Sequence, residues 1–131
     1  MSEKQSILLV DDDHEFRDGI RRMFEESGYT VAIACDGQEA IDILSKDAFD
    51  LVVSELRLPG LNGIELMKEI SRKRMNVSVI FLTAYGEIES YMDLMNMGAF
   101  DYLNKPVREK EILSVVKKAI EALHASHFSG P

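Results

Sequence analysis

The sequence predicts an α/β protein, a parallel five-stranded sheet with helices on both faces. Two observations carry this. Short apolar runs alternate strictly with longer amphipathic runs, five of each, which is the pattern of βα units around a parallel sheet. The first, third and fourth apolar runs carry no charge inside them, as strands covered on both faces should read. Right-handed crossovers then leave few topologies.

Element by element, "ILLV" (7–10) is the first strand. Residues 14–28 set Phe16, Ile20, Met23 and Phe24 at helical spacing and stop at Gly28. "TVAIA" (30–34) is a second strand whose Thr, Ala and following Cys35 suit a sheet edge. The helix over 37–47 repeats the spacing through Ala40, Ile41 and Leu44, with Asp36 as its N-cap. "DLVVS" (50–54) is the third strand and 63–74 the third helix. "VSVIFLT" (77–83) is the fourth strand, and 87–98 the fourth helix, ended by Gly98. "FDYLN" (100–104) is the fifth strand, and 107–124 the last helix. The patterned region is one domain over 5–124; 125–131 reads as a flexible tail.

Composition bounds what such a domain can do. A chain of 131 residues holds one domain and can bury roughly two-thirds of its unfolded surface without a staple. A formal charge of -8 with no basic block argues against direct nucleic-acid or anionic-membrane binding. Cys35 stands alone, so there is neither an internal disulfide nor a zinc spacing. The apolar run after the N-terminus is too short for a secretion signal or a membrane span. A cytoplasmic location is the expectation.

Ligands of open α/β sheets bind beyond the carboxyl ends of the strands. Those ends carry Asp11, Asp12 and Asp13 after strand one, Glu55 after strand three, Thr83 at the end of strand four and Lys105 after strand five. Loops are polar, and that explains any one of these residues. It explains poorly an Asp pair and a Lys attached directly to buried strands. Clustered carboxylates raise one another's pKa unless a cation sits among them, and Lys105 alone is not enough. Mg²⁺ held by one or two carboxylates, with waters and phosphate oxygens, fits the pattern. Thr83 and Lys105 would then contact phosphoryl oxygens. The plainer readings are an N-cap for one Asp, capping or solvation for Asp13, and a β-branched strand residue for Thr83.

The motifs "ILLVDDD", "DLVVSELRLPGLNG", "VIFLTAYG" and "GAFDYLNKP" together resemble the CheY-like receiver domains of two-component response regulators. The resemblance implies a flavodoxin-like fold with strand order 2-1-3-4-5. It implies that Asp12 ligates Mg²⁺ directly and Asp11 through water, with Glu55 and the backbone carbonyl of Arg57 completing the protein's share. Thr83 and Lys105 would grip phosphoryl oxygens, the Lys105–Pro106 bond would be cis, and Tyr102 would be an aromatic switch coupled to Thr83. A sensor histidine kinase would be the phosphate donor. An effector, or a second copy of the chain, would dock on the face of helix four, strand five and helix five.

Glu55 departs from that pattern, because the family has there the Asp that receives the phosphoryl group. One more methylene carries the carboxylate up to about 1.5 Å further out, and a misplacement of about 1 Å can cost a hundredfold in reactivity. Phosphorylation at Glu55 should be poor, while its charge of -1 imitates a phosphate of roughly -1.5 to -2 only in part. Three readings follow: an introduced Asp-to-Glu change biasing the switch, a natural phosphate-independent receiver, and a weakly phosphorylated one. The chain is thus read as a non-enzymatic signalling switch.

The same residues admit rival functions. An Asp-x-Asp phosphatase-like hydrolase matches the spacing of Asp11 and Asp13 but has Glu15 where a Thr or Val is usual. A flavin-binding domain needs an uncharged phosphate cradle where "DDDHEF" stands. A decayed receiver acting only as a protein-binding module is the remaining alternative. On helix four, Ile88, Met92 and Met95 at i, i+4, i+7 are the expected core stripe. Tyr91 and Leu94 widen that stripe and are the expected exposed interface residues. Met97 reads as a further partner-facing methionine or as core. His14, His124 and His127 read as unpaired surface histidines, and Ser54 and Ser78 have no triad context.

Overall fold

The computed structural model describes residues 4–84 and 88–126. The elements are β1 (Ser6–Val10), α1 (His14–Glu26), β2 (Thr30–Ala34), α2 (Gly37–Lys46), β3 (Leu51–Ser54), α3 (Gly63–Arg72), β4 (Ser78–Thr83), α4 (Ile88–Asn96), β5 (Asp101–Asn104) and α5 (Glu109–Ser126). All neighbouring strands pair in parallel, in the order β2-β1-β3-β4-β5. The expected strand order is therefore observed, with β2 at an edge.

The strict two-residue period of a strand sorts its side chains onto opposite faces. Ile7, Leu9, Leu51, Val53, Ile80 and Leu82 face one way, onto Ile20 and Phe24 of α1 and Ile112, Val116 and Ile120 of α5. Leu8, Val10, Val52, Val79 and Phe81 face the other way, onto Ala40 and Ile41 of α2, Leu66, Met67 and Ile70 of α3, and Leu94 of α4. Two cores flank one sheet, which is why the central strands carry no polar residue between their first and last positions.

Helix caps explain both the correct and the incorrect boundaries. Asp13 caps α1 by accepting from the Phe16 amide, and Asp36 caps α2 by accepting from Glu39. α1 and α4 end in the same way. Gly28 and Gly98 take φ of 99° and 102°, and the amides of Tyr29 and Ala99 reach back to the carbonyls of Phe24 and Leu94. α3 ends likewise, with Met75 donating to the Ile70 carbonyl, but its left-handed residue is Arg74 at φ 52°. No glycine marks that stop, and the expected ends at 28, 74 and 98 each lie two residues past the helix ends at Glu26, Arg72 and Asn96. At the other end of the chain, α5 runs through Ser126, past the expected limit of 124. The remainder of the expected tail, with His127, lies outside the described residues.

α4 corrects the sequence reading. Leu94, expected at an exposed interface, is fully buried, whereas Met92, expected in the core, is 58% exposed. Leu94, Tyr91, Met95, Ile88 and Met92 form one apolar arc wider than a single buried face requires, so spacing alone does not say which edge of it faces the sheet. Met95 and Met97 pack partly against the core, and Tyr91 is exposed as expected.

Gly63 at the start of α3 brings that helix close to the end of β3. A Cβ there would lie 2.9 Å from the Glu55 carbonyl oxygen, the Leu56 Cα and the Phe81 ring. The missing side chain lets the Gly63 amide reach the Leu56 carbonyl at 2.8 Å.

The left-handed conformation costs an L-residue roughly 1–2 kcal/mol, part of which glycine returns as unfolded-chain entropy. Arg74→Gly is therefore expected to stabilise the domain by about 0.5–1 kcal/mol. Urea unfolding curves of the two proteins check this; an unchanged or lower midpoint would count against it.

Candidate functional site

Each strand-end residue is held by one further rung of the sheet ladder. The Asp11 amide donates to the Ala34 carbonyl at 3.1 Å, Glu55 to Val10 at 2.9 Å and Lys105 to Thr83 at 2.8 Å. The backbone is thus fixed right up to the functional side chains, which project over the carboxyl edge of the sheet. The Lys105–Pro106 peptide is cis, as expected.

The side chains converge on Lys105. Its Nζ lies 2.9 Å from Asp11 Oδ2 and 3.0 Å from Glu55 Oε2. Asp11 and Glu55 are buried, at 2% and 4% exposure. Burying carboxylates is expensive unless each is paired and hydrogen-bonded, and here both are. Glu55 Oε1 accepts from the Leu56 amide at 2.6 Å and, at 3.4 Å, from Arg57. Oε2 accepts from the Ala84 amide at 3.3 Å, and the buried Thr83 hydroxyl donates to the same carboxylate.

These contacts set the ionisation of the pair. Burial pushes the Glu55 carboxyl up, but bonds from Thr83, Lys105 and the Leu56 amide, with the lysine's charge, outweigh it and leave the pKa below its ordinary value. Burial pulls the Lys105 ammonium down, but Asp11 and Glu55 outweigh that and hold its pKa above the ordinary value. Both groups are therefore charged across the neutral range.

A cleft of about 500 Å³ opens over this pair, lined by Asp11, Asp12, Phe16, Glu55, Arg57 and Lys105 among others. Asp12 is exposed at its mouth and makes no hydrogen bond among the described residues. No three acidic, histidine or cysteine side chains among the described residues are close enough to cage a cation. Asp11, Asp12 and the Arg57 carbonyl do match the sparser set of hard oxygen donors that suffices for Mg²⁺ when water completes its shell. Glu55, also expected as a ligand, has both oxygens engaged by protein donors.

Asp13 is the N-cap of α1. Tyr102 is half-buried and stacks edge-on with Tyr91, ring centroids 5.7 Å apart. In the ladder Tyr102 stands opposite Phe81, two residues before Thr83, so Thr83 and Tyr102 belong to the same face of the sheet. His14 is exposed, with Nδ1 2.7 Å from the Arg17 guanidinium. The expectation of unpaired histidines therefore fails for His14, and for His124 as well, whose Nε2 lies 3.0 Å from Asp50 Oδ1, at the opposite edge of the sheet from the cleft.

Sequence reasoning missed two residues. Arg17 is buried, donates to the Asp11 carbonyl at 3.2 Å and lies 3.1 Å from the Cys35 sulfur. It is a second cation beside the acidic cluster. Its signal was a charge on an otherwise apolar stripe with Ile20 and Phe24. Phe16, read as core, also lines the cleft, and its ring centroid lies 3.9 Å from Lys105 Nζ.

Acids, a hydroxyl and a lysine thus converge on one cleft at the carboxyl edge of a doubly wound α/β sheet, the place where such sheets bind their ligands. The response regulator receiver domain family matches residues 7–117, and the chain belongs to that family. It is 37% identical over 118 residues to the sporulation initiation phosphotransferase F of Bacillus subtilis, covering 90% of this chain and 94% of that protein. It is 32% identical to the transcriptional regulatory protein FixJ of Bradyrhizobium diazoefficiens, covering 92% of this chain but 58% of FixJ. The fold is similar to a CheY-like receiver domain from Methanospirillum hungatei, with a TM-score of 0.90, 28% identity, and 95% and 99% of the two chains covered. Receiver domains are regulatory signalling domains of two-component systems. No described helix is long and apolar enough to cross a membrane.

Because the Glu55 pKa is lowered on folding, its stabilising contribution is complete above its unfolded value of 4.5 and is lost as pH falls through the folded value. Between about pH 7 and about pH 3 the protein is expected to lose roughly 1 kcal/mol more unfolding free energy than Glu55→Gln, the size of one net hydrogen bond. Urea unfolding at the two pH values measures the difference. Parallel loss in both proteins would contradict it.

Proposed function

We propose that this chain is a phosphorelay receiver in which Glu55 stands at the phosphoacceptor position and serves as a partial, permanent substitute for a phosphoryl group. The observation that carries the reading is that one carboxylate, Glu55, accepts from Lys105, Thr83 and the Ala84 amide together. In the family reading, the lysine and the hydroxyl are the groups that grip phosphoryl oxygens. The longer side chain spends its carboxylate on those donors, so no oxygen is left free for in-line attack on a phosphate donor.

Asp11, Asp12 and the Arg57 carbonyl are the groups that would hold Mg²⁺, which supplies charge neutralisation for an incoming phosphoryl group. Asp12, exposed and without a hydrogen bond among the described residues, would be the direct ligand; Asp11, already bound to Lys105, would act through water. The switch would run from Thr83 to Tyr102 along their common sheet face. Tyr91, stacked on Tyr102, then belongs to the surface that reports the change, and Leu94 does not. The regulatory reading has no turnover step: charge at the cleft biases a two-state face and thereby a partner's affinity. That partner is an effector domain or a second receiver, and the phosphate donor in the parent system is a histidine kinase. A cytoplasmic setting suits both.

Intact mass after incubation with Mg²⁺ and a small-molecule acyl phosphate tests this. The parent is expected to gain nothing. Glu55→Asp is expected to gain one phosphoryl group, and to gain less when Asp12→Asn is added or Mg²⁺ is chelated. A phosphorylated parent would overturn the substitute role, and an inert Glu55→Asp would overturn the assignment of the site.

A further inference from the structure

We infer that Phe16 is a positioning residue for Lys105, its ring holding the ammonium in place between Asp11 and Glu55. A lysine ammonium is a compact point charge on a flexible stem, with three donors. Two sides of this one are met by the Asp11 and Glu55 carboxylates at 2.9 and 3.0 Å. A third is covered by the Phe16 ring, 3.9 Å from the nitrogen, within the range where an aromatic face attracts a cation. Phe16 is neither fully buried nor fully exposed, and it lines the cleft while packing against the α1 and α5 core. An apolar residue serving the core alone has no need to reach the lysine.

The contacts that place the ring form a closed circuit. Lys105 binds Asp11 Oδ2; Asp11 Oδ1 accepts from the Asp13 amide at 2.9 Å. Asp13 Oδ1 accepts from the Phe16 amide at 3.2 Å, starting α1. The Phe16 ring then returns to Lys105. The N-cap of α1 thus sets the ring's position from the same aspartate that anchors the lysine. The third consecutive acid, Asp13, acquires a role at the site without touching a ligand. With the ring in place, one side of the ammonium is closed to water, and its hold on a carboxylate or phosphoryl oxygen is less screened.

The test has a spectroscopic arm and a kinetic arm. In the parent, the Lys105 Cε protons are expected to be displaced upfield by the ring current, an effect lost in Phe16→Leu and kept in Phe16→Tyr. This arm is independent of the proposed function. The kinetic arm rests on it: in the Glu55→Asp background, phosphoryl uptake from an acyl phosphate is expected to slow roughly two- to thirtyfold with Phe16→Leu and to recover with Phe16→Tyr. No upfield displacement in the parent overturns the inference, as does equal uptake in the Leu variant or a slow Leu variant that Tyr does not restore. If Glu55→Asp takes up no phosphoryl group at all, the proposed function fails by itself, and the parent and Tyr spectra still decide the role of Phe16.

Discussion

One ammonium group organises the functional end of this domain. Lys105 follows an edge strand, β5, yet its nitrogen sits between carboxylates that follow β1 and β3. That meeting depends on the parallel order of the sheet, because only then do all the strands present their carboxyl ends on one edge. Without the lysine, two nearly buried carboxylates would face each other uncompensated, and the unpaired charges would cost several kcal/mol. With it, Glu55 stays charged at neutral pH, and the cleft keeps its geometry. Arg17 reinforces the arrangement from below by holding the Asp11 carbonyl.

The end of β3 is where chemistry and packing constrain each other most. Gly63 lets α3 start directly against the Glu55 backbone, while the Leu56 and Arg57 amides turn back onto its carboxylate. Glu55 is therefore held from its own strand, from β4 through Thr83 and Ala84, and from β5 through Lys105. A side chain anchored from three directions is a fixed charge rather than a mobile nucleophile. In the proposed reading this is why the longer acid can imitate the charged state of a receiver and still be a poor acceptor. The same donors, left without a carboxylate oxygen, would be available to an incoming group.

Most of the architecture was legible in the sequence because its signals are local. Uncharged apolar runs marked the buried strands, and Gly28 and Gly98 marked helix ends. Strand order came only from the family resemblance, since period and length do not say which strands are neighbours. The failures have equally local causes. At the end of α3, Arg74 takes a conformation that sequence assigns to glycine, so no residue type marks that stop. On α4 the apolar arc is wider than one buried face, so spacing alone points to the wrong edge of it. At the site, residue types and positions at the strand ends identified Asp11, Glu55, Thr83 and Lys105, which the structure joins. Arg17 and Phe16 were not found, because their roles arise from long-range contacts with groups that the chain brings together only on folding. The His124–Asp50 pair, separated by 74 positions, was hidden for the same reason.

In the proposed reading, the Glu55 carboxylate already occupies the donors meant for a phosphoryl group. The Ala84 amide, one of those donors, reports this directly through its proton and nitrogen chemical shifts. These should be recorded in the parent, in Glu55→Asp, and in Glu55→Asp carrying a phosphoryl group. The parent resonance is expected to lie between those of the two Asp forms, displaced toward the phosphorylated one. A parent resonance coinciding with unmodified Glu55→Asp would contradict it, and Glu55 would then be a silent replacement rather than a standing signal.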